Sequence, residues 1–284
     1  MYLKGILKGV QHLGMPVIDL DSTIKWYEDA LGFKEIYRTT IYNKERIDVA
    51  FLKSGNLIIE AYQLSGKEYE ETKLRSHGHI DHFAIEVKDI KAILEQVISK
   101  GVVLDDSTKD GPVLIENFWS KGVKYVNLIG PNNERVELAD KVNLDKQLKE
   151  STIGGWSHLG IPVTDLEKSK KFYEDLGFTE VMNAEIKKEE GTIKAAFMEL
   201  GNFQIELYRL FGRDYEEINL RKDGRIDHIA LDVADIEKTF QELKEANFDI
   251  IDEGTNYLPF WDNGVRYFTI KGPNGEKVEF NQIL

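Results

Sequence analysis

The stretch Gly78-His79-Ile80-Asp81-His82-Phe83-Ala84-Ile85-Glu86-Val87 returns as Gly224-Arg225-Ile226-Asp227-His228-Ile229-Ala230-Leu231-Asp232-Val233. Both copies read as strands. Ile80, His82, Ala84 and Glu86 fall on one face and Asp81, Phe83, Ile85 and Val87 on the other, so each copy sets one imidazole among small and apolar neighbours. His82 and His228 are 146 positions apart, and the same offset relates His12 to His158 and Glu60 to Glu206.

The repetition extends over the whole chain. Residues 10–17 and 156–163 read as one short strand written twice, each followed by a helix opened by an aspartate cap, Asp19 or Asp165. Leu20, Ile24, Tyr27 and Leu31 form the buried stripe of the first helix, and Leu-Gly-Phe ends both helices, with Gly32 and Gly177 at the left-handed C-terminal position. Two hairpin strands follow, residues 47–53 and 57–62 in the first copy, and then a loop carrying Tyr69-Glu70-Glu71 and Arg75, or Tyr215-Glu216-Glu217 and Arg221. After the His82 strand comes a second helix with Ile90, Ile93, Leu94, Val97 and Ile98 as its apolar stripe, matched later by Ile236, Phe240 and Leu243. Each half closes with Phe-Trp-x-x-Gly-Val, a strand, a Gly-Pro-Asn turn and a last strand bearing Glu137 or Glu279.

The expected fold is therefore α+β, with four βαβββ modules forming two curved mixed sheets. The polar interval before Gly154-Gly155 reads as a linker, giving one domain over 1–140, a linker over 141–155 and a second domain over 156–284.

Composition narrows the partners. The 284 residues contain no cysteine, which excludes disulfides, thiolate metal sites and thiol nucleophiles and fits a cytoplasmic protein. The formal charge of −13 is spread along the chain and disfavours nucleic acid or an anionic membrane surface, and no run of about 18 apolar residues could span a bilayer. A small-molecule substrate and a monomer or homodimer are the expectation.

Glu60 in Leu57-Ile58-Ile59-Glu60-Ala61-Tyr62 and Glu206 in Phe203-Gln204-Ile205-Glu206-Leu207-Tyr208 are carboxylates in strands that read as buried, a costly placement unless a cation holds them. The two copies have drifted, with Trp26 answered by Phe172 and His79 by Arg225, yet both keep His12, Glu60, His82 and Glu137 or His158, Glu206, His228 and Glu279. Two imidazoles and two carboxylates suit an octahedral divalent metal with two open positions, and zinc, nickel, cobalt, manganese and iron(II) all satisfy that donor set.

The His-Leu-Gly-x-Pro-Val opening, the aromatic-Tyr-Glu-Asp helix with Leu-Gly-Phe, the Ile-Asp-His strand and the Gly-Pro-Asn turn before Val-Glu resemble the vicinal oxygen chelate superfamily. That family includes glyoxalase I, methylmalonyl-CoA epimerase, extradiol dioxygenases and bleomycin resistance proteins. The resemblance implies tandem glyoxalase-like domains, with the eight residues above as metal ligands. Within the family the His, Glu, His, Glu set looks most like glyoxalase I and the epimerases, which implies proton transfer on a vicinal hydroxycarbonyl substrate through a metal-stabilised enediolate, with Glu137 and Glu279 as catalytic bases. An extradiol ring-cleaving dioxygenase, or a metal-free binding protein of the resistance type, is the alternative. Met15-Pro16 and Ile161-Pro162 stand where bacterial glyoxalase I has a glutathione-holding arginine, which argues against glutathione.

The loop Gln63–His79 and the linker after Asp140 are of similar length, so neither decides which modules share a cleft. The arm before His12 is short, and from it each half is expected to close its own site, joining His12 and Glu60 to His82 and Glu137.

Overall fold

The computed structural model describes residue 3, residues 6–142 and residues 153–284. The first module runs β1 (Leu7–Pro16), α1 (Leu20–Leu31), β2 (Lys34–Asn43), β3 (Glu45–Ser54) and β4 (Leu57–Gln63), and a short helix α2 (Gly66–Leu74) leads out of it. The second is β5 (His82–Val87), α3 (Ile90–Ser99), β6 (Val103–Leu104), β7 (Val113–Ile115), β8 (Val123–Ile129) and β9 (Arg135–Lys141). The third repeats the first as β10 (Ile153–Pro162), α4 (Leu166–Leu176), β11 (Thr179–Lys187), β12 (Thr192–Leu200), β13 (Phe203–Arg209) and the exit helix α5 (Gly212–Ile218). The fourth is β14 (His228–Val233), α6 (Ile236–Glu245), β15 (Asn256–Leu258), β16 (Val265–Lys271) and β17 (Lys277–Ile283).

Local chemistry explains the helix ends. Asp19 accepts a hydrogen bond from the Ser22 N–H at the start of α1, and Gly32 closes it at φ 72°, a conformation that a side chain would strain. The stripe Leu20, Ile24, Tyr27 and Leu31 is buried as expected. In α3 the expected stripe holds for Ile90, Ile93, Leu94 and Val97, whereas Ile98 is exposed. The helices α2 and α5 fall where the sequence reads as loop; only Thr72 is buried in α2 and only Ile218 in α5, so no apolar stripe announces either.

The strands form an eight-stranded sheet in the order β15-β16-β17-β14-β1-β4-β3-β2 and a nine-stranded path β11-β12-β13-β10-β5-β9-β8-β6, with β7 paired to β8. In the first sheet β1 lies antiparallel to β14 and parallel to β4; in the second β10 lies antiparallel to β5 and parallel to β13. Each sheet thus combines modules from both halves, the first with the fourth and the second with the third. The expectation that each half closes its own site is overturned. What exchanges the modules is the connection through α2 and α5, not the N-terminal arm: after α2 the chain crosses to the other sheet, where the His79 N–H donates to the Lys222 carbonyl and the Arg225 N–H to the Ser76 carbonyl. The linker expected over 141–155 lies mostly outside the described residues; its end, from Ile153, already belongs to β10.

Alternation along the central strands separates core from cleft. Leu13 and Met15 of β1, Ile59 and Ala61 of β4 and Ile229 and Leu231 of β14 pack into the main core with Tyr27, Leu31 and Phe240 from the helices. Burying each large apolar side chain contributes roughly 1.5–3 kcal/mol. The opposite face of each sheet carries a smaller apolar cluster beside a cleft, Phe51, Phe260 and Val265 in one and Phe197, Phe118 and Val123 in the other.

Candidate metal centres

The first sheet brings together His12, Glu60, His228 and Glu279. His12 Nε2 lies 3.3 Å from His228 Nε2, 3.2 Å from a Glu60 oxygen and 3.8 Å from a Glu279 oxygen, and His228 Nε2 lies 3.6 and 3.9 Å from the same two carboxylates. The second sheet assembles His158, Glu206, His82 and Glu137: His82 Nε2 is 3.2 Å from His158 Nε2, 3.9 Å from Glu137 and 3.7 Å from Glu206, while His158 Nε2 is 3.5 and 3.3 Å from those carboxylates. All eight expected ligands therefore converge, in two sets of four that each draw on both halves. Within these sets, the ligand atoms of His12, Glu60 and His228, and those of His82, Glu137 and His158, all lie within 4.8 Å of one another.

Sequence-local geometry aims these groups. A register shift between Val10 and His12 in the β1–β14 pairing forms a bulge that brings Gln11 beside the His12 ring, and the shift between Trp156 and His158 does the same for Ser157. Gln11 Oε1 then accepts from His12 Nδ1 at 2.7 Å, Gln11 Nε2 donates to Asn281 Oδ1 at 2.8 Å, and Asn281 Nδ2 donates to Glu279 at 3.1 Å. In the second centre Ser157 Oγ stands 3.2 Å from His158 Nδ1. The other histidine of each centre has an aspartate at its Nδ1, Asp227 at 3.3 Å from His228 and Asp81 at 3.2 Å from His82. With acceptors at Nδ1 of His12, His82 and His228, the Nε2 atoms turn toward the carboxylates.

The donor set fits a divalent cation. For metal–ligand bonds of about 2.1 Å, cis donors lie about 3 Å apart and trans donors about 4.2 Å apart, which brackets the separations above. The protein groups by themselves balance their charges by holding a proton at the first centre. Burial pushes Glu60 up, but His12 and His228 outweigh it and bring Glu60 down to about 2. Burial lowers His228, but Glu279, Asp227 and Glu60 raise it to about 10. Burial also raises Glu279 and Glu137. A metal would take over the positive charge that the proton supplies, and its binding would release protons.

Aromatic rings stand beside each centre. Phe51 meets His12 edge-on at 5.7 Å and Trp261 stands 4.9 Å from Phe51; Phe197 meets His158 at 5.4 Å and Trp119 stands 5.3 Å from Phe197. Both tryptophans have positive φ, 54° at Trp119 and 59° at Trp261, an uncommon state for a bulky residue and one that clusters at ligand sites. The clefts differ in size and lining. The first, of about 320 Å3, includes Tyr267, Asp252 and Leu258; the second, of about 190 Å3, includes Arg135, Lys141 and Tyr125. Lys141 lies 4.4 Å over the Trp119 ring, and its counterpart in the last strand of the other half is Ile283.

Among known proteins, an uncharacterised protein of Bacillus subtilis, YwbC, is 36% identical over 129 residues, which is 44% of this chain and 94% of the relative. Human mitochondrial methylmalonyl-CoA epimerase is 31% identical over 104 residues, 36% of this chain and 58% of that protein. Glyoxalase I from Zea mays superposes with a TM-score of 0.71 at 21% identity, covering 96% of this chain and 92% of the other, and so shares its fold. The pattern of the Glyoxalase/Bleomycin resistance protein/Dioxygenase superfamily matches residues 9–113 and 155–280, and with that match over most of its length the chain belongs to this superfamily.

Proposed function

We propose that both clefts are metal-dependent active centres for proton transfer on a vicinal hydroxycarbonyl substrate, a lyase or isomerase reaction of the glyoxalase and epimerase kind. The observation that carries this reading is the inequality of the two carboxylates in each centre. Glu60 lies nearer both imidazoles than Glu279 does, and Glu206 approaches His82 and His158 more closely than Glu137 does. Glu60 is held low by its imidazoles, whereas burial raises Glu137 and Glu279 toward the range in which a carboxylate can take up and return a proton.

A bound divalent metal would supply Lewis acidity toward two neighbouring oxygens of the substrate. The rest falls to the chain. Glu60 stays ionised and, with Glu206 as its counterpart, fixes the centre, Glu279 or Glu137 moves the proton, and Phe260 in the first cleft and Trp119 in the second exclude water from the substrate carbon. Two metal ions per chain are expected, since both sets of four are intact.

The test is a screen of small hydroxycarbonyls, thioesters and hemithioacetals, in D2O, with Zn, Ni, Co, Mn or Fe(II) added to chelator-treated protein. Metal-dependent exchange of the C–H adjacent to the carbonyl supports the proposal. Oxygen uptake with catechols confined to the iron form, without exchange, would transfer the protein to ring cleavage.

A further inference from the structure

Each centre has a buried aspartate behind one of its histidines, and each aspartate is held by an arginine from the connection between modules. Arg75, at the end of α2, donates through Nη1 to Asp227 Oδ1 at 2.6 Å and to the Gly224 carbonyl at 3.1 Å. Arg221, beyond α5, donates through Nη1 to Asp81 Oδ1 at 2.8 Å and to the Gly78 carbonyl at 3.2 Å. The other carboxylate oxygen faces the ring: Asp227 Oδ2 meets His228 Nδ1 and Asp81 Oδ2 meets His82 Nδ1.

The aspartates have a second cation, Lys277 for Asp227 and Arg135 for Asp81, but these belong to β17 and β9, the strands that also carry Glu279 and Glu137. Arg75 and Arg221 are the contacts that come from outside the sheet. Their own positions are fixed where the two connections touch. A β-carbon on Gly78 would meet the Gly224 nitrogen at 2.3 Å, and one on Gly224 would meet the Gly78 nitrogen at 2.3 Å, so both carbonyl acceptors sit on backbone that admits no side chain. Ile80 and Ile226 form a bridge just beyond.

We infer that Arg75 and Arg221 are positioning residues for the metal centres, each holding the carboxylate that orients one histidine ligand: Arg75 acts on His228 through Asp227, and Arg221 acts on His82 through Asp81. The physical reason is geometric. A carboxylate anchored on one oxygen by a guanidinium, itself pinned to a carbonyl, presents its other oxygen to the ring in one orientation, which keeps the Nδ1 proton toward it and Nε2 toward the cleft. Without the arginine, the buried aspartate keeps only the cation from its own sheet, Lys277 or Arg135, and loses the contact that anchors its Oδ1 from outside.

The inference rests on the metal reading above and predicts a pattern that general destabilisation would not give. Two single-centre parents are made, Glu206→Gln with His158→Ala to leave the first centre, and Glu60→Gln with His12→Ala to leave the second. Each is titrated with Co2+ by visible absorption and by competition with a chelator. In the first parent, Arg75→Met is expected to weaken Co2+ binding about ten- to a hundredfold, the usual range for loss of such support, and Arg221→Met to change it by less than about twofold. In the second parent the two effects exchange. If Arg75→Met does not fold, Asp227→Asn removes the carboxylate through which Arg75 acts and is expected to give the same selective loss. Parents that bind no Co2+ would sink the metal reading and this inference with it. Parents that bind Co2+ while each arginine variant weakens both centres equally, or neither, would overturn the inference alone.

Discussion

Gly14 lies directly across from His228 in the β1–β14 pairing, and a β-carbon there would stand 1.9 Å from His228 Cε1. Gly160 stands in the same relation to His82, at 2.0 Å. The glycine of His-Leu-Gly is therefore the floor on which the histidine of the opposing module rests, and its lack of a side chain is a requirement of the cleft.

Gly14→Ala is accordingly expected to displace His228 and to abolish metal binding at the first centre while leaving the second loaded. Elemental analysis should fall from two ions per chain to one, at a stability cost of about 1–3 kcal/mol for overpacking. Two ions retained with unchanged affinity would show that the ring can move without loss.

Glu60→Gln keeps the shape of the side chain and removes the charge that His12 and His228 stabilise. Metal affinity at the first centre should drop by at least about tenfold, with the fold intact by circular dichroism. A variant that bound metal like the parent and only gained stability would make Glu60 a tolerated buried acid.

The exchanged pairing makes a half-chain incomplete. Residues 1–145 hold His12 and Glu60 of one centre and His82 and Glu137 of the other, and the structure closes neither centre within that span. Expressed alone, this fragment is expected to bind metal only as a dimer, in which His12 and Glu60 of one copy meet His82 and Glu137 of the next. A metal-binding monomer in sedimentation would contradict the pairing.

Away from the centres, Glu276 accepts from the Asn274 N–H and from the Tyr173 hydroxyl at 3.3 Å, and its burial raises it from 4.5 to about 7. A carboxyl raised on folding stabilises the native state fully below its unfolded value, and that contribution is lost as pH climbs through about 7. The difference corresponds to about 3 kcal/mol between pH 4 and pH 9. Glu276→Gln should flatten this part of the urea-derived stability profile, and an unchanged slope would place the titration elsewhere.

The members of the two convergent sets were legible because duplication wrote each one twice in strands where burial makes a charge conspicuous: Glu60 and Glu206 stand out among Ile, Ala and Leu. The pairing of modules was not, because it depends on where the chain goes after α2 and α5, and those polar helices leave no periodic signal. Gln11 and Ser157 were hidden for a related reason: a bulge puts adjacent residues on one side of a strand, against the alternation on which sequence reading relies. Arg75 and Arg221 did leave a trace, since both recur at the common offset beside Leu74 and Leu220, but a repeated surface arginine does not by itself reveal that it reaches an aspartate beyond residue 220 or back to residue 81.

A symmetric dimer of half-length chains would be bound to carry twin centres, because every mutation would strike both at once. Here one continuous chain supplies both, and that obligation is gone. Gln11 and Asn281 support the first centre where Ser157 and Ala139 stand in the second, and Ile283 occupies the strand position that Lys141 fills across from it. The covalent join lets evolution, or an engineer, retune one centre while holding its sibling constant.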